Sequence, residues 1–217
     1  MEFVKHLPVW DKLTPSQQEL LQKTCIAKNV EKGTVLHDGS PNCMGLLLIK
    51  SGQLRACILS EEGREVTLYR LFEYDICLLA ASCVMKSVQF DVTITAEKDS
   101  ELFIIPPHIF KRLTEESAPF SNYVNDLMAQ RFSEVMWLME QIMWKSFDKR
   151  LASFLLEETA LEGSLQLHTT HEAIANHMGT AREVVTRMLR YFQTEGYVRL
   201  SRGVVEVTDE KALRKLQ

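Results

Sequence analysis

The stretch THEAIANHMGTAREVVTRMLRYFQTEGYV, Thr170–Val198, has the pattern of two helices joined by a very short turn. Gly179 is predicted to end the first helix, since glycine readily adopts the positive φ found at many helix ends. Thr180 is predicted to be the N-cap of the second helix, and Glu183, three residues later, completes a capping box. Gly196 then ends the second helix. Because the connection is so short, the two helices must cross at a steep angle.

The second helix has one apolar face and one polar face. Its apolar residues recur at helical spacing and are predicted to face the core: Val184, Val185, Met188, Leu189 and Phe192. The following YVRLSRGVVEVT is predicted to be a β-hairpin that turns at Arg202 and Gly203. A helix, a tight turn, a second helix and a basic hairpin together predict a winged helix-turn-helix.

The polar face carries side chains suited to the edges of DNA base pairs. Arginine donates two parallel hydrogen bonds to guanine O6 and N7, and glutamate accepts from cytosine N4. In a helix-turn-helix, the second helix enters the major groove by its N-terminal residues while the first crosses the backbone. The predicted base-reading residues are Arg182, Glu183, Thr186 and Arg187. The predicted contacts to the DNA backbone are Thr169, Thr170, His171, Arg190, Arg199 and Arg202.

The overall composition does not indicate a nucleic-acid partner, so any basic surface must be confined to part of the chain. The 217 residues carry a net charge of −4, with 46% hydrophobic and 25% charged residues, as is usual for a globular protein. Between Arg182 and Arg202, however, there are five arginines and only two glutamates. This local excess favours binding to phosphates.

The N-terminal half has a different sequence pattern: from Val30 to Ile105, short apolar runs alternate with residues typical of turns. Residues 50–53 and 61–63 contain glycine and are predicted turns. FDVTITA, residues 90–96, alternates with period two and is rich in β-branched residues, which is typical of a half-buried strand. Many short strands at regular spacing predict an antiparallel barrel or sandwich.

A long helical segment without glycine or proline follows, FSNYVNDLMAQRFSEVMWLMEQIMW. Apolar residues within it are spaced four, three, four and three, as in a heptad seam: Met128, Phe132, Val135, Met139 and Ile142. We predict that this helix pairs with its twin in a homodimer; the alternative is a helix packed on its own domain. The predicted domains are residues 1–116, 117–145 and 146–217, and the fold class is α+β.

This order of elements resembles the CRP/FNR family of bacterial transcription regulators. THEAIANHMGTAREVVTRMLRYFQTEGYV resembles the DNA-binding signature of the family, and LLLIKSGQLRACILSEEGREVTLYRLFEYD resembles the opening strands of its cyclic-nucleotide-binding β-roll. The resemblance implies an N-terminal antiparallel, jelly-roll-like β-roll, a long dimerisation helix and a C-terminal winged helix-turn-helix. It also implies a homodimer on double-stranded DNA with inverted half-sites, and RNA polymerase as a partner.

Two branches of the family bear on the half-site. Arg182, Glu183 and Arg187 match the base-reading positions of the cAMP-receptor branch, which implies a TGTGA-like half-site. Glu183, Thr186 and Arg187 also resemble the FNR branch, in which serine replaces the threonine, so that TTGAT-like sites stay open. The half-site centres are expected about one turn of DNA apart.

The effector region departs from the cyclic-nucleotide binders that the chain resembles. Those binders carry a Gly-Glu pair for the ribose and an Arg-Ser or Arg-Thr for the cyclic phosphate. In EYDICLLAASCVMKSVQFDVTITA, Leu78 and Leu79 stand where Gly-Glu belongs, and Phe90 stands near the arginine position. A phosphate buried without a cation or converging N–H groups would be uncompensated. We therefore expect no cAMP binding, and a small-molecule or redox effector of another kind.

Three interpretations of this region stay open. The first is a pocket for an apolar or amphipathic ligand, with the candidates Cys77, Leu78, Leu79, Cys83, Met85 and Phe90. The second is redox or metal sensing through Cys77 and Cys83, and the third is solid packing without a ligand. Cys25 is the only cysteine among residues 1–28, so the N-terminal cluster of the oxygen-sensing branch is absent. An iron–sulfur centre or haem stays an alternative, and no metal ligand or cofactor is predicted.

The remaining expectations concern class and compartment. MEFVKHLPVW lacks the features of a signal peptide, and no apolar run approaches the roughly 20 residues that span a bilayer, so a cytoplasmic protein without a membrane partner is expected. Five cysteines favour free thiols over a disulfide framework. No phosphate-binding loop, nucleophile elbow or HExxH motif occurs, so we predict no enzyme. The alternative function is a β-roll regulatory subunit that docks a protein partner rather than DNA.

Overall fold

The computed structural model describes residues 3–38, 44–60, 65–84 and 92–217. The chain divides into two compact units: Met1–Leu59 with Leu68–Val135, and Ser60–Thr67 with Met136–Gln217. Within the described ranges, no helix is both long and apolar enough to cross a membrane. The domain limits expected at 116/117 and 145/146 stay predictions.

Short helices and eight described strands form the N-terminal half. Two 3-10 helices, Phe3–His6 and Trp10–Lys12, precede helix α1, Pro15–Thr24. The strands are β1 (Ile26–Val30), β2 (Val35–Asp38), β3 (Leu46–Ser51), β4 (Leu54–Leu59), β5 (Glu65–Leu71), β6 (Ile76–Cys77), β7 (Thr93–Ala96) and β8 (Ser100–Ile105). A third 3-10 helix, Leu79–Val84, lies between β6 and β7, and helix α2, Pro107–Glu116, follows β8.

These strands form two four-stranded sheets within the described residues, ordered β1-β8-β3-β6 and β2-β7-β4-β5. The pairs β1–β8, β3–β8, β3–β6, β2–β7 and β4–β7 are all antiparallel. The predicted turn after β3 is confirmed: Gly52 has a φ of 98°, and a side chain there would meet the backbone of Asp99 and Ser100. The second predicted turn, at 61–63, lies outside the described residues.

Strand β3 explains why the N-terminal half contains a continuous apolar run. Successive side chains of a strand point to opposite faces. Leu46 and Leu48 therefore enter a core cluster with Phe110 and Phe120, whereas Leu47 and Ile49 enter a second cluster. All four are at most 3% exposed. Both faces of this sheet are covered, which requires apolar residues at consecutive positions.

Helix α3, Ala118–Trp144, is the long helix expected from the sequence. Its first part buries Phe120 and Val124 in the core of the first unit. Its second part leaves large apolar side chains in solvent, among them Trp137 and Trp144.

The second unit contains the remaining elements: α4 (Phe147–Glu162), β9 (Gln166–Leu167), α5 (His171–His177), α6 (Arg182–Thr194), β10 (Val198–Ser201), β11 (Val204–Val207) and α7 (Glu210–Leu216). The strands form a sheet ordered β10-β11-β9, with antiparallel pairs. A separate core joins α4 to α6 through residues such as Leu151, Leu155, Leu189 and Phe192. The sheets, the long helix and the helix-turn-helix with its hairpin confirm the predicted α+β fold.

Candidate nucleic-acid interface

Helix α5 is capped at both ends by short-range hydrogen bonds. Its N-cap is Thr170, whose hydroxyl accepts a hydrogen bond from Ala173 N–H at 3.0 Å. At the other end Gly179 has a φ of 64°, and Thr180 N–H donates to the carbonyl of Ala175 at 3.0 Å. This 6→1 bond is the mark of a Schellman ending, in which glycine takes the left-handed position.

The predicted capping box on the second helix is wrong. Helix α6 begins at Arg182 with Ala181 as N-cap, and no side chain caps it. Thr180 instead completes the C-terminal motif of α5, since its N–H donates to the carbonyl of Ala175. The turn is therefore one residue longer than predicted, and Glu183 lies in the first turn of α6 without a capping partner.

The inner face of α6 fixes which side chains point outward. Val185, Leu189 and Phe192 are 0% exposed and belong to the core of the second unit. Val184 and Met188 border this stripe and are half-buried. The apolar positions expected from helical spacing are thus confirmed, and they hold the helix with its opposite face in solvent.

The outer face of α6 brings together the predicted base-reading residues. Arg182, Glu183, Thr186 and Arg187 line one shallow concave surface, which Arg190 extends. The three arginines and the glutamate are exposed, and Thr186 is half-buried. None of these arginines forms an ion pair with a described residue. Their charges are therefore uncompensated within this part of the chain, as a phosphate or guanine contact requires.

A second groove lies beside this surface and collects most of the predicted backbone contacts. It runs between the start of α5, the first turn of α6 and the tip of the β10–β11 hairpin. Its polar lining includes Thr169, Thr170, His171, Glu172, Arg182 and Arg202. Arg199 lies outside this lining and pairs with Glu206 across the hairpin, 3.0 Å away. The groove thus unites Thr169, Thr170, His171 and Arg202, whereas the charge of Arg199 is partly compensated.

His171 makes a contact that its position in the sequence did not reveal. Its Nδ1 atom lies 2.9 Å from Oγ1 of Thr186, across the contact between α5 and α6. Burial lowers the pKa of His171, and the nearby charges of Arg182 and Arg190 lower it further. The neutral form of the imidazole is therefore favoured, and the ring is in direct contact with a predicted base-reading residue.

The structure does not unite the candidates for the effector pocket. Leu78 belongs to the core cluster that contains α1 and α2, whereas Cys77 and Leu79 belong to the cluster that contains Ile94. Cys77 is 0% exposed, and burial raises the pKa of its thiol to about 11. The side chain of Cys83 and the whole of Met85 and Phe90 lie outside the described residues.

Arg131 is a buried charge that the sequence pattern did not predict. This residue of α3 is 7% exposed, and its guanidinium lies 4.6 Å from the centre of the Tyr69 ring. Its Nη1 donates to both carboxylate oxygens of Glu134, at 2.9 and 2.7 Å. Burial raises the pKa of Tyr69, and Arg131 opposes that rise. Only the helical spacing of Arg131 and Glu134 could have suggested the pair.

The heptad positions lie on a helix whose apolar side chains are mostly in solvent. Phe132 is 66% exposed, Met139 47% and Ile142 42%, while Met128 and Val135 are half-buried. Further exposed apolar residues on the same helix are Met136, Trp137, Met143 and Trp144. Exposed apolar side chains concentrated on one helix are typical of an interaction site.

Comparisons with known proteins bear on both halves of the chain. A model of the cyclic nucleotide-binding domain matches residues 27–117, and a model of the Crp-like helix-turn-helix domain matches residues 149–216. A crystal structure from Eubacterium rectale, assigned to the CRP/FNR family of transcriptional regulators, is 60% identical, with a TM-score of 0.97. That match covers 98% of this chain and 99% of the other. The chain is a member of the CRP/FNR family.

Two further relatives of this CRP/FNR regulator come from Thermus thermophilus. The transcriptional regulator SdrP is 33% identical over 95 residues, which is 41% of this chain and 47% of SdrP. The cyclic AMP receptor protein of the same organism is 23% identical over 213 residues, 98% of each chain. These matches confirm the resemblance to the family. CRP/FNR members are transcription regulators, not enzymes. The helix-turn-helix of this chain corresponds to the DNA-binding domain of the family.

Proposed function

We propose that this CRP/FNR regulator binds an inverted-repeat operator as a homodimer, with helix α6 in the major groove. The observation that carries the proposal is the exposed face of α6, where Arg182, Glu183, Thr186 and Arg187 lie on one surface. Two arginines without ion-pair partners among the described residues can each donate in parallel to guanine. Arg190 and the groove beside α6 then serve the phosphates on either side.

The homodimer rests on helix α3. The predicted seam runs through Met128, Phe132, Val135, Met139 and Ile142, and the exposed Met136 and Met143 lie beside it. Together these residues form an apolar stripe of the width that a helix presents to a parallel twin. A twofold axis along α3 would relate two copies of α6, which is the symmetry that an inverted repeat requires.

We also propose that the signal is not cAMP. Leu78 and Leu79, which stand where a cyclic-nucleotide binder has Gly-Glu, are 0% and 5% exposed and carry no group for a ribose hydroxyl. The buried guanidinium of Arg131 already has a carboxylate partner in Glu134. A cyclic phosphate would have to displace that carboxylate, which would leave a partly buried anion without its cation.

Among the three interpretations of the effector region, the burial of Cys77 argues against a thiol sensor at that residue. Sensor cysteines are exposed and have lowered pKa values, whereas the pKa of Cys77 is raised to about 11. An apolar ligand or solid packing is therefore favoured over redox chemistry at Cys77.

A protein-docking function is the second candidate, and the arginines argue against it. A helix that docks on a protein would bury uncompensated guanidinium groups at a cost, whereas DNA supplies an anion for each one. Arg182, Arg187 and Arg202 border the concave face of α6 and the groove beside it.

The test is selection of DNA from a random duplex pool by the full chain, with and without cell extract to supply an effector. An enriched inverted repeat is expected from the parent chain and from Arg112→Ala, a matched loss of one exposed arginine on α2. Arg187→Ala is expected to lose preference at one base pair of each half-site. No enriched repeat under either condition would refute the DNA-binding proposal.

A further inference from the structure

The contact between His171 and Thr186 joins the two helices of the DNA-binding domain through polar atoms. His171 is the first residue of α5, Thr186 lies in the second turn of α6, and their Nδ1 and Oγ1 atoms are 2.9 Å apart. Both side chains are half-buried, so this hydrogen bond is shielded from water on one side. The role inferred for this pair rests on the proposed function of α6 in base reading.

A threonine hydroxyl carries little sequence information by itself. It can donate its hydrogen to guanine O6 or N7, adenine N7 or thymine O4, or accept from adenine N6 or cytosine N4. Threonine therefore tolerates every base unless a neighbour decides which way the hydroxyl hydrogen points. Nδ1 of His171 is positioned to make that decision.

Burial, and then the charged groups around His171, favour the neutral form of its ring. Arg182 and Arg190 face it from α6, Arg202 lies across the groove on the hairpin, and Glu172 follows on its own helix. The arginines outnumber the glutamate. A positive charge on the imidazole is therefore disfavoured, which agrees with the lowered pKa of His171.

A neutral imidazole carries one hydrogen, and the groove determines on which nitrogen. His171 lines the groove with Thr169, Thr170 and Arg202, where a DNA phosphate is expected. A phosphate oxygen accepts hydrogen bonds and never donates them, so it selects the form with hydrogen on Nε2. Nδ1 then has only a lone pair, and the bond to Thr186 must run from the threonine hydroxyl to the imidazole.

We propose that His171 is a positioning residue for base specificity: it accepts the hydroxyl hydrogen of Thr186, so that Thr186 Oγ1 can only accept from a base. The ligand class at this position is a base that presents an exocyclic amino group in the major groove, adenine or cytosine. In the protein–DNA complex the relay runs from the amino group to Thr186, from Thr186 to Nδ1, and from Nε2–H to the phosphate.

The relay reverses when His171 is protonated. Both ring nitrogens then carry hydrogen, Nδ1–H donates to Thr186 Oγ1, and the threonine hydrogen is released to donate to guanine, thymine or adenine N7, so that adenine and cytosine are no longer favoured over the other bases. Burial and the charges of Arg182 and Arg190 lower the pKa of His171 in the chain without DNA, and a phosphate bound at Nε2 opposes that lowering. The preference for adenine or cytosine is thus present above the pKa of His171 and is lost as the pH falls through it.

The experiment measures binding of the full chain to its selected operator and to the four variants of the base pair that Thr186 contacts. That base pair is the one whose discrimination Thr186→Val removes. At neutral pH the parent chain is expected to prefer adenine or cytosine by about 3- to 10-fold, the range for one hydrogen bond. This preference is expected to disappear at acidic pH.

Two substitutions of His171 separate positioning from a structural role. His171→Asn places an amide oxygen near the Nδ1 position, accepts the same hydrogen and does not titrate, so the preference is expected to persist at acidic pH. His171→Phe keeps a ring without the acceptor, and the preference is expected to be lost at every pH. The control His108→Phe changes an exposed histidine on α2 and is expected to behave as the parent chain does.

The outcomes separate the two proposals. An operator that is selected and depends on Arg187, but whose Thr186 base pair shows the same preference at both pH values and in His171→Phe, would overturn the role of His171 alone. If His171→Phe fails to fold, the pH profiles of the parent chain and His171→Asn decide the question. Failure of the parent chain to select any operator would overturn base reading itself.

Discussion

Glu134 holds its carboxylate 2.7 Å from the guanidinium of Arg131, one turn away on α3, and the arginine side chain is only 9% exposed. The helix thus buries a full positive charge against Tyr69 and supplies the compensating anion from its own next turn. A buried charge without its partner is costly, and this pair is therefore sensitive to the loss of the carboxylate.

Glu134→Ala is expected to lower the free energy of unfolding by about 1–3 kcal/mol, because the guanidinium of Arg131 is left buried and unpaired. Urea unfolding of the full chain measures the loss. The matched control is Glu116→Ala, which removes the partner of Arg112 from a pair that is 56% and 55% exposed. Such a surface pair contributes about 0–1 kcal/mol. Equal losses in the two variants would show that Arg131 is not effectively buried.

Arg187→Ala is expected to weaken binding to the selected operator by about 1–3 kcal/mol, because a bidentate contact to guanine is lost. The change should relax preference at one base pair rather than at all of them. Fluorescence anisotropy with the operator and its single-base variants measures both effects, and Arg112→Ala serves as the control for charge. Unchanged affinity would remove Arg187 from the base-reading set.

Phe132→Glu is expected to dissociate the homodimer, because it places a negative charge on each helix of the apolar seam. Sedimentation velocity over a range of concentrations measures the change. Phe72→Glu is the matched control: Phe72 is also exposed, at 38%, but does not lie on α3. A dimer that persists in the first variant would argue that α3 does not form the seam.

Thr170→Ala is expected to cost about 1 kcal/mol of stability, since the N-cap hydrogen bond to Ala173 is lost. Thr180→Ala tests the corrected start of α6. Because the side chain of Thr180 does not cap that helix, Thr180→Ala should change the free energy of unfolding by less than about 0.5 kcal/mol. Urea unfolding measures the free energy of unfolding of both variants. A larger loss in Thr180→Ala would support the capping box predicted from the sequence.

The thiol of Cys77 is expected to resist alkylation in the native chain. Burial raises its pKa to about 11, so the reactive thiolate is scarce at neutral pH and increases only as the pH rises toward that value. Mass spectrometry after iodoacetamide treatment measures the modification, with the denatured chain as positive control. Rapid labelling of the native protein would support the hypothesis that Cys77 senses redox state. The double variant Cys77→Ser, Cys83→Ser would then test whether redox-dependent DNA binding is lost.

Much of the helix-turn-helix could be predicted because its determinants are local. Gly179 and Gly196 mark helix ends through backbone conformation, and the inward stripe of Val185, Leu189 and Phe192 follows from helical periodicity alone. The start of α6 could not be placed in the same way. Thr180 suits an N-cap by residue type, but α6 begins one residue later, with Ala181 as N-cap, and the N–H of Thr180 belongs to the C-terminal motif of α5.

In the effector region, by contrast, the sequence alone was a poor guide. The adjacent residues Cys77, Leu78 and Leu79 were predicted to line one pocket. Alternation along the chain instead places Leu78 in one core cluster and its two neighbours in another. The sequence gives Arg131 the character of an ordinary surface arginine on a long helix, whereas the packing of α3 against Tyr69 makes it a buried charge.

By itself, the sequence determined the elements, the family and the basic face of α6, because these depend on residue type and on spacings of a few residues. Only the tertiary structure decided that His171 meets Thr186 and that Arg131 lies over Tyr69, at sequence separations of 15 and 62 residues. The reason is physical: a short spacing is set by the geometry of one helix or strand, whereas a distant contact is set by how separate elements pack. Packing also determines which charges are desolvated, and so which of them can act on a neighbour.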